Sequence, residues 1–516
     1  MIPRPSDALR SQDGTSQNWR LAFLVFLALL TGWRLLYLAI NPLDLIPDEA
    51  YYWDWGRMPA LGYYSKPPFI AWINWTTTTI LGATAFTVRL PAVIFGFFAL
   101  VALYGLAGRM FDRRTAFWSV VLAALSPAAC AVNFIMTIDA PLVCCWSVAL
   151  YTSWRAVNDT SRRPLWWLLT AVACGVGILS KQMMLVFMPL IFLFLAVSKY
   201  DRPSLKTGWP YLGFVLALSF LLPPIWWNWQ NDWITFQHTA HHFESSRTTF
   251  SFLRTFFDFT GGQLLLLSPL PVVMLIALSF LLLKQFPSLD RRLKFLLIFS
   301  AMPLGGIALL SLRQGINANW PAVFYPAGLV LVAAWVCGVP VFGDRLPGLR
   351  RLFPAAVYSG LGLVVLTYAL TFFFSFSTLA GGPYDPTARL KGWRFFGHEI
   401  STLLAKSPHP ERVFLLADKR QPVSAMAFYV DNQPRTYQWN DRGGYIRSQY
   451  DLWPDPSEKI GWDSIIVLRD GHQPHPDLAK AFREIIPLTE LTVPVGPAGS
   501  RRYSVYFGRE LLQWPR

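Results

Sequence analysis

Eleven apolar runs, each near the length of a bilayer crossing, constrain this chain more than anything else in it: 21–40, 88–108, 115–132, 140–156, 165–180, 183–198, 210–227, 263–283, 294–312, 321–339 and 355–376. A hydrocarbon core about 30 Å thick is crossed by about 20 apolar residues in a helix, which satisfies its own backbone polar groups where lipid cannot. The runs 165–180 and 183–198 are short and divided by Lys181, so the expected count is about 11–13 helices. Only 15% of the 516 residues are charged and 53% are hydrophobic, against about 25% charged in soluble chains. That balance excludes a soluble enzyme, a disordered chain and a secreted disulfide scaffold. All five cysteines (Cys130, Cys144, Cys145, Cys174 and Cys337) lie in apolar runs and read as small buried hydrophobes. The first run is too long for a signal-peptide core and lacks a small-residue cleavage site, so it reads as an anchor.

The net charge is +15, and its distribution follows membrane loops rather than a nucleic-acid surface. With the N-terminus placed inside, the inner segments carry nineteen basic residues, among them Arg4, Arg10, Arg109, Arg113, Arg162, Arg163, Arg202, Arg291, Arg292 and Arg350. The outer loops carry seven: Arg57, Lys66, Arg89, Lys181, Arg247, Arg254 and Arg313. Cytoplasmic loops are enriched in Lys and Arg, so the sequence predicts a cytoplasmic N-terminus and, with eleven spans, an outer C-terminal segment.

From about Asp385 the composition turns soluble-like. Residues 411–420, 463–470 and 500–508 read as strands and 476–485 as an amphipathic helix. The expected architecture is an all-α polytopic membrane domain over 1–380 and a small α/β extracytoplasmic domain over 385–516. No Gly-rich phosphate loop follows a strand.

Polar chemistry gathers in the outward loops. The first, 41–87, contains Asp48 and Glu49 at the start of DEAYYWDWGRMPALGYYSKPPFIAW. A carboxylate at the membrane interface can act as general base on a hydroxyl; Asp48 after Pro47 can equally cap an interfacial helix. Lys66, pinned before Pro67 and Pro68, suits a phosphate, or it snorkels. Asp139 stands between two apolar runs, where an unpaired carboxylate is costly, so a polar partner or a wet cavity is expected. Arg34, in the outer half of the first span, is expected to pair with a carboxylate. His238 and His242 (i, i+4) could share a metal with a third ligand elsewhere, whereas adjacent His241 and His242 point about 100° apart. An interfacial polar loop is the plainer reading, and no metal site is assigned.

DEAYYWDWGRMPALGYYSKPPFIAW (48–72), the outward loop with Asp139, LSKQ (179–182), WWNWQNDWITFQH (226–238), ANWPA (318–322) and DPTARLKGW (385–393) together resemble the bacterial GT-C class of membrane glycosyltransferases. The resemblance is to the family 39/83 group that includes aminoarabinose and galacturonic acid transferases of lipid A. It implies a GT-C fold, a polyprenyl-phosphate-linked sugar donor, an envelope lipid or glycan acceptor and inverting transfer at the outer face of the inner membrane. By the same resemblance Asp48 matches the catalytic carboxylate, with Glu49 beside it, and Asp139 a second acidic position. Lys66 matches the cation holding the carrier phosphate, and Arg247 is a candidate second cation. Tyr63, Tyr64, His238, His242 and Lys181 are further site candidates. Ser65 departs from those aminoarabinose transferases that carry an acidic residue before the lysine. No cofactor and no nucleic acid is implied. The alternative is a transporter or flippase of a lipid-linked substrate, which should show broken helices in paired halves near the midplane; the sequence has no paired halves.

Overall fold

The structure is a computed structural model and describes residues 5–241, 252–440 and 445–514. Each of the eleven apolar runs contains helix, but fewer qualify as unbroken crossings. By length and composition six helices among the described residues can cross a bilayer: Gln17–Ile40, Ala85–Met110, Arg163–Ser180, Trp209–Gln230, Arg291–Ser311 and Phe353–Phe376. A seventh arises if Leu253–Leu267 and Pro269–Leu283, bent by 115°, form one crossing. The bend falls at Ser268, which has φ 78° and precedes Pro269. A residue before proline is pushed out of the α region, so the helix cannot run through.

Breaks of this kind explain the lower count. The run 115–132 becomes Arg113–Ala124 and Pro127–Val132, because Ser126 starts a new helix by accepting the Ala129 N–H at 3.2 Å. Gln182–Val197 and Trp320–Val336 are apolar but short. Asp139–Asn158 is 20 residues long but opens on a carboxylate and carries Ser147, Thr152 and Ser153.

The chain forms two units. The first comprises Met1–Ala39, Arg89–Trp226 and Thr239–Tyr368. Its core is built around Trp146, which meets Phe187 and Phe324 edge-on at 5.1 and 5.2 Å. Edge-to-face rings add about 0.5–1.5 kcal/mol per pair beyond burial. At another point of this unit, buried Asp201 takes one edge of the Arg291 guanidinium with both of its oxygens, Nε donating at 2.9 Å. Two loops that the charge count assigns to the same side therefore meet.

The second unit is assembled from Ile40–Val88, Trp227–His238 and Ala369–Arg516. Its sheet has the order β2-β1-β3-β5-β4, with β1 (Val413–Ala417), β2 (Thr436–Gln438), β3 (Asp463–Arg469), β4 (Phe482–Gly496) and β5 (Gly499–Leu511). β1 pairs parallel with β2 and β3, while β5 runs antiparallel to β3 and β4. Phe414, Leu416, Ile466, Leu468, Leu478 and Phe482 fill one face.

Two sequence expectations need correction here. The strand expected over 411–420 ends at Ala417, and Arg420 opens the helix Arg420–Tyr429. The helix expected over 476–485 stops at Ala481, because Phe482 enters β4 opposite Leu511. Ile485 and Ile486 are stiff β-branched residues just before Pro487, and both features favour extended backbone.

Candidate active site

Asp48 lies in the first turn of the helix Pro47–Arg57, whose N-cap is Ile46 and whose first residue is Pro47. Proline there loses no hydrogen bond, since the first-turn N–H groups have no partner within the helix. Glu49, not Asp48, serves the helix start: its Oε2 accepts the Ile46 N–H at 3.0 Å, and the side chain is fully buried. Asp48 is left to tertiary contact. Its Oδ1 receives Arg420 Nη1 at 2.8 Å, with the carboxylate side chain about a third exposed at 32%. Arg420 also lies over the Tyr51 ring at 4.6 Å. Burial alone would lower the Arg420 pKa, but Asp48 and Tyr51 outweigh it and the value is raised. The Ser424 hydroxyl, one turn further on, donates to the Pro47 carbonyl at 3.2 Å, so the helix Arg420–Tyr429 fixes the position of Asp48.

The rest of the segment 41–87 is pinned by its aromatics. Tyr63 is fully buried, stacks on Trp55 at 4.5 Å, donates to the Trp55 and Met58 carbonyls and accepts the Ala60 N–H. Burial pushes its phenol pKa up, so Tyr63 is a structural pin rather than an acid. The Tyr64 hydroxyl meets His238 Nδ1 at 3.1 Å, and its backbone N–H donates to Gln449 at 2.7 Å. The Thr235 hydroxyl holds the Tyr63 carbonyl at 2.8 Å. Lys66 is half-buried and stands just before Pro67 and Pro68, the latter capping the helix Phe69–Leu81. This unit therefore contains Asp48, Glu49, Tyr63, Tyr64, Lys66 and His238.

Asp139 and Lys181 belong to the first unit and are bonded to each other. Asp139 heads the helix Asp139–Asn158; its Oδ1 takes Lys181 Nζ at 2.8 Å and its Oδ2 takes Asn319 Nδ2 at 2.7 Å. Both charged side chains are nearly buried. The expected polar partner is thus a lysine from the break after Arg163–Ser180 and an amide from the ANWPA motif. Lys181 divides two apolar runs because it ends one helix and precedes a 3-10 turn. The expected ion pair of Arg34 is not found: among the described residues no carboxylate reaches it, and its Nε has no partner.

Arg247 and His242 lie outside the described residues. Among the described residues no three His, Cys, Asp or Glu side chains gather as a metal site would require. Sequence reasoning missed Arg420 and Gln449, for which no local pattern exists, and gave no role to Asn319, although the motif around it was visible.

Residues 65–227 match the family described as dolichyl-phosphate-mannose-protein mannosyltransferase. The solved structure of ArnT from Cupriavidus metallidurans in the apo state is similar along 95% of this chain and 98% of that one, with TM-score 0.61 and 16% identity. The fold is that of the GT-C class. The same ArnT bound to undecaprenyl phosphate gives TM-score 0.60 at 15% identity, over the same shares of the two chains. In sequence, this chain is 26% identical to the lipid A galacturonosyltransferase RgtD of Rhizobium johnstonii over 311 residues, 59% of this chain and 63% of that protein. It is 31% identical to the undecaprenyl phosphate-alpha-4-amino-4-deoxy-L-arabinose arabinosyl transferase of Erwinia tasmaniensis over 135 residues, 25% and 24% of the two chains. The chain thus covers less than two thirds of the length of these curated relatives. The family match takes in Lys66, Asp139 and Lys181 and begins after Asp48.

Proposed function

We infer that this multi-span membrane protein is a glycosyltransferase that moves a sugar from a polyprenyl-phosphate carrier to lipid A or another envelope acceptor. The observation that carries this reading is a GT-C fold whose outward-loop carboxylate, Asp48, is held by a guanidinium and remains reachable. The likeness to relatives named as lipid A galacturonosyltransferase and as undecaprenyl-phosphate aminoarabinose transferase supports the donor and acceptor classes. In the reaction an acceptor hydroxyl oxygen attacks the anomeric carbon, the bond from that carbon to the phosphate oxygen breaks, and polyprenyl phosphate leaves. Asp48 takes the hydroxyl proton as general base. Lys66 stabilises the charge that develops on the leaving phosphate. Asp139, oriented by Lys181 and Asn319, positions the acceptor. Glu49 shapes the turn that carries Asp48.

The basic-residue bias supports an inner-membrane location in a bacterium, with a cytoplasmic N-terminus. The transferase domain is then 1–380, and 385–516 is a periplasmic domain. Mass spectrometry of envelope lipids and glycans, with and without the chain, tests the function: a missing sugar mass names donor and acceptor together. Asp48→Asn should lower transfer about 10²–10⁴-fold at normal expression. A fully active, normally inserted Asp48→Asn protein would remove the general-base assignment, and unchanged envelope masses without the chain would remove the transferase reading.

A further inference from the structure

The first unit contains a cleft of about 560 Å³ bounded by Arg114, Trp118, Cys337, Arg350, Arg351 and Phe353. Ligand sites commonly measure about 300–1,000 Å³. Two helices long and apolar enough to cross a bilayer meet the water here: Ala85–Met110 ends shortly before Arg114, and Phe353–Phe376 begins just after Arg351. Residues that flank an apolar span lie at the depth of the lipid headgroups. The charge count assigns both arginines to the inner side, so the headgroups concerned are those of the inner leaflet.

The cations of the cleft have no counter-charge. Among the described residues Arg114, Arg350 and Arg351 form no ion pair with a carboxylate. Arg350 is aimed rather than neutralised: its Nε donates to the Val336 carbonyl at 3.0 Å, and its Nη groups keep their donors. A Cβ at Gly338, where φ is 78°, would overlap Arg350 Nη2, so a bare backbone is what lets the guanidinium lie there. Asp112 is near enough to act on the Cys337 thiol, but it is engaged at its own helix start. Its Oδ1 accepts the Thr115 N–H at 2.8 Å, and its Oδ2 accepts the Thr115 hydroxyl at 3.3 Å. The helices Arg113–Ala124 and Phe353–Phe376 both start at the cleft, and a helix start carries partial positive charge. Three guanidinium groups and two helix starts therefore call for an anion, and the planar fork of arginine matches phosphate oxygens.

The walls identify where that phosphate comes from. Trp118 meets Phe353 edge-on at 5.0 Å and forms an apolar side. Beyond Phe353 the same helix leaves Leu361, Val365 and Leu366 exposed, an apolar track leading from the cleft along the span. A soluble phosphate would have no use for it, whereas acyl chains would. We propose that this cleft is a binding site for the headgroup of an acidic phospholipid of the inner leaflet. The juxtaposition that carries it is three arginines without carboxylate partners on one cleft at the mouth of a spanning helix. The inference is independent of the transferase reading.

The test uses the full-length protein, stripped of lipid in detergent, with native mass spectrometry to count bound molecules. The probes are dioleoyl phosphatidylglycerol, dioleoyl phosphatidylcholine and soluble glycerol 3-phosphate. Each arginine near an acidic headgroup adds about fivefold to affinity. The wild type should therefore bind a single phosphatidylglycerol about a hundredfold more tightly than phosphatidylcholine. Arg114→Gln and Arg351→Gln should each weaken phosphatidylglycerol about fivefold, and together about thirtyfold, with phosphatidylcholine unchanged. Arg162→Gln, which removes the same charge from another inner loop, should change neither. Saturating phosphatidylglycerol should also shield Cys337 from a maleimide, the other four cysteines being buried. Equal affinity for the two phospholipids overturns the proposal, as does an equal loss in Arg162→Gln. Displacement by glycerol 3-phosphate at equal concentration overturns it by assigning the cleft to a soluble phosphate. Unchanged labelling of Cys337 at saturation overturns it by placing the lipid elsewhere.

Discussion

Lys181→Met offers a direct measure of how the Asp139 site is held. The pair is 2.8 Å apart, with side chains 13% and 9% exposed. Two unit charges about 4 Å apart interact by about 4 kcal/mol at an effective dielectric of 20, and removing one partner of a buried pair costs about 3–5 kcal/mol because the other charge is stranded. After Lys181→Met, Asp139 keeps only the amide of Asn319, so the full cost is expected. Asp139→Asn should cost a similar amount by stranding the lysine. In the double variant Lys181→Met/Asp139→Asn no charge is stranded, and the new amide oxygen can still accept the Asn319 N–H. The double variant should therefore fall within about 1–2 kcal/mol of wild type, giving a coupling of several kcal/mol where contacting residues usually show about 0.5–3. Amide hydrogen exchange over the helices Asp139–Asn158 and Arg163–Ser180 reads the local opening free energy. If the two single effects add within about 0.5 kcal/mol, the pair is not coupled and the reasoning fails.

Glu49→Gln should retain transfer within a fewfold, since an amide oxygen can still accept the Ile46 N–H; Glu49→Ala should cost about 1–3 kcal/mol of stability. A Glu49→Gln protein that folds normally but loses transfer would move Glu49 into the chemistry. Arg420→Met should lower transfer by releasing the Asp48 carboxylate while leaving donor binding intact; equal turnover in the two proteins would show that the ion pair does not position Asp48. Burial raises the Asp418 pKa, with Lys419 and His472 opposing. A carboxyl raised in the folded state favours folding while protonated, and this contribution is lost as pH climbs from the ordinary Asp value of about 4 through the folded one. Asp418→Asn should thus stabilise the sheet at pH 7 and leave it unchanged near pH 4, as checked by thermal melts across that range; a gain that is constant with pH would refute the assignment.

What the sequence disclosed follows the range of the forces involved. Apolar runs report their own burial, so all eleven appeared as helical segments, but Ser126 and the Ser268–Pro269 break act through single residues inside otherwise uniform runs. β1, β3 and β5 were readable from their apolar patterns, whereas β2 was not read and the end of the helix at Ala481, where β4 begins, was set by pairing of Phe482 with Leu511, which no local pattern reports. At the site, the need of Asp139 for a partner could be argued from the cost of burying it, yet which lysine and which amide supply it depends on contacts 42 and 180 residues away. The DE dipeptide left open whether Asp48 caps the helix or faces the site, and only the fold shows the buried Glu49 at the helix start and Asp48 reachable.

The second unit also imposes a schedule on synthesis. The Leu45 N–H donates to the Tyr429 hydroxyl across 384 positions of chain, and at about 5–20 residues per second the ribosome needs roughly 20–75 s to cover that interval. Throughout this delay the segment bearing Asp48 waits without its eventual brace, so a nascent chain stalled before position 420 would leave that segment unbraced and open to proteolysis.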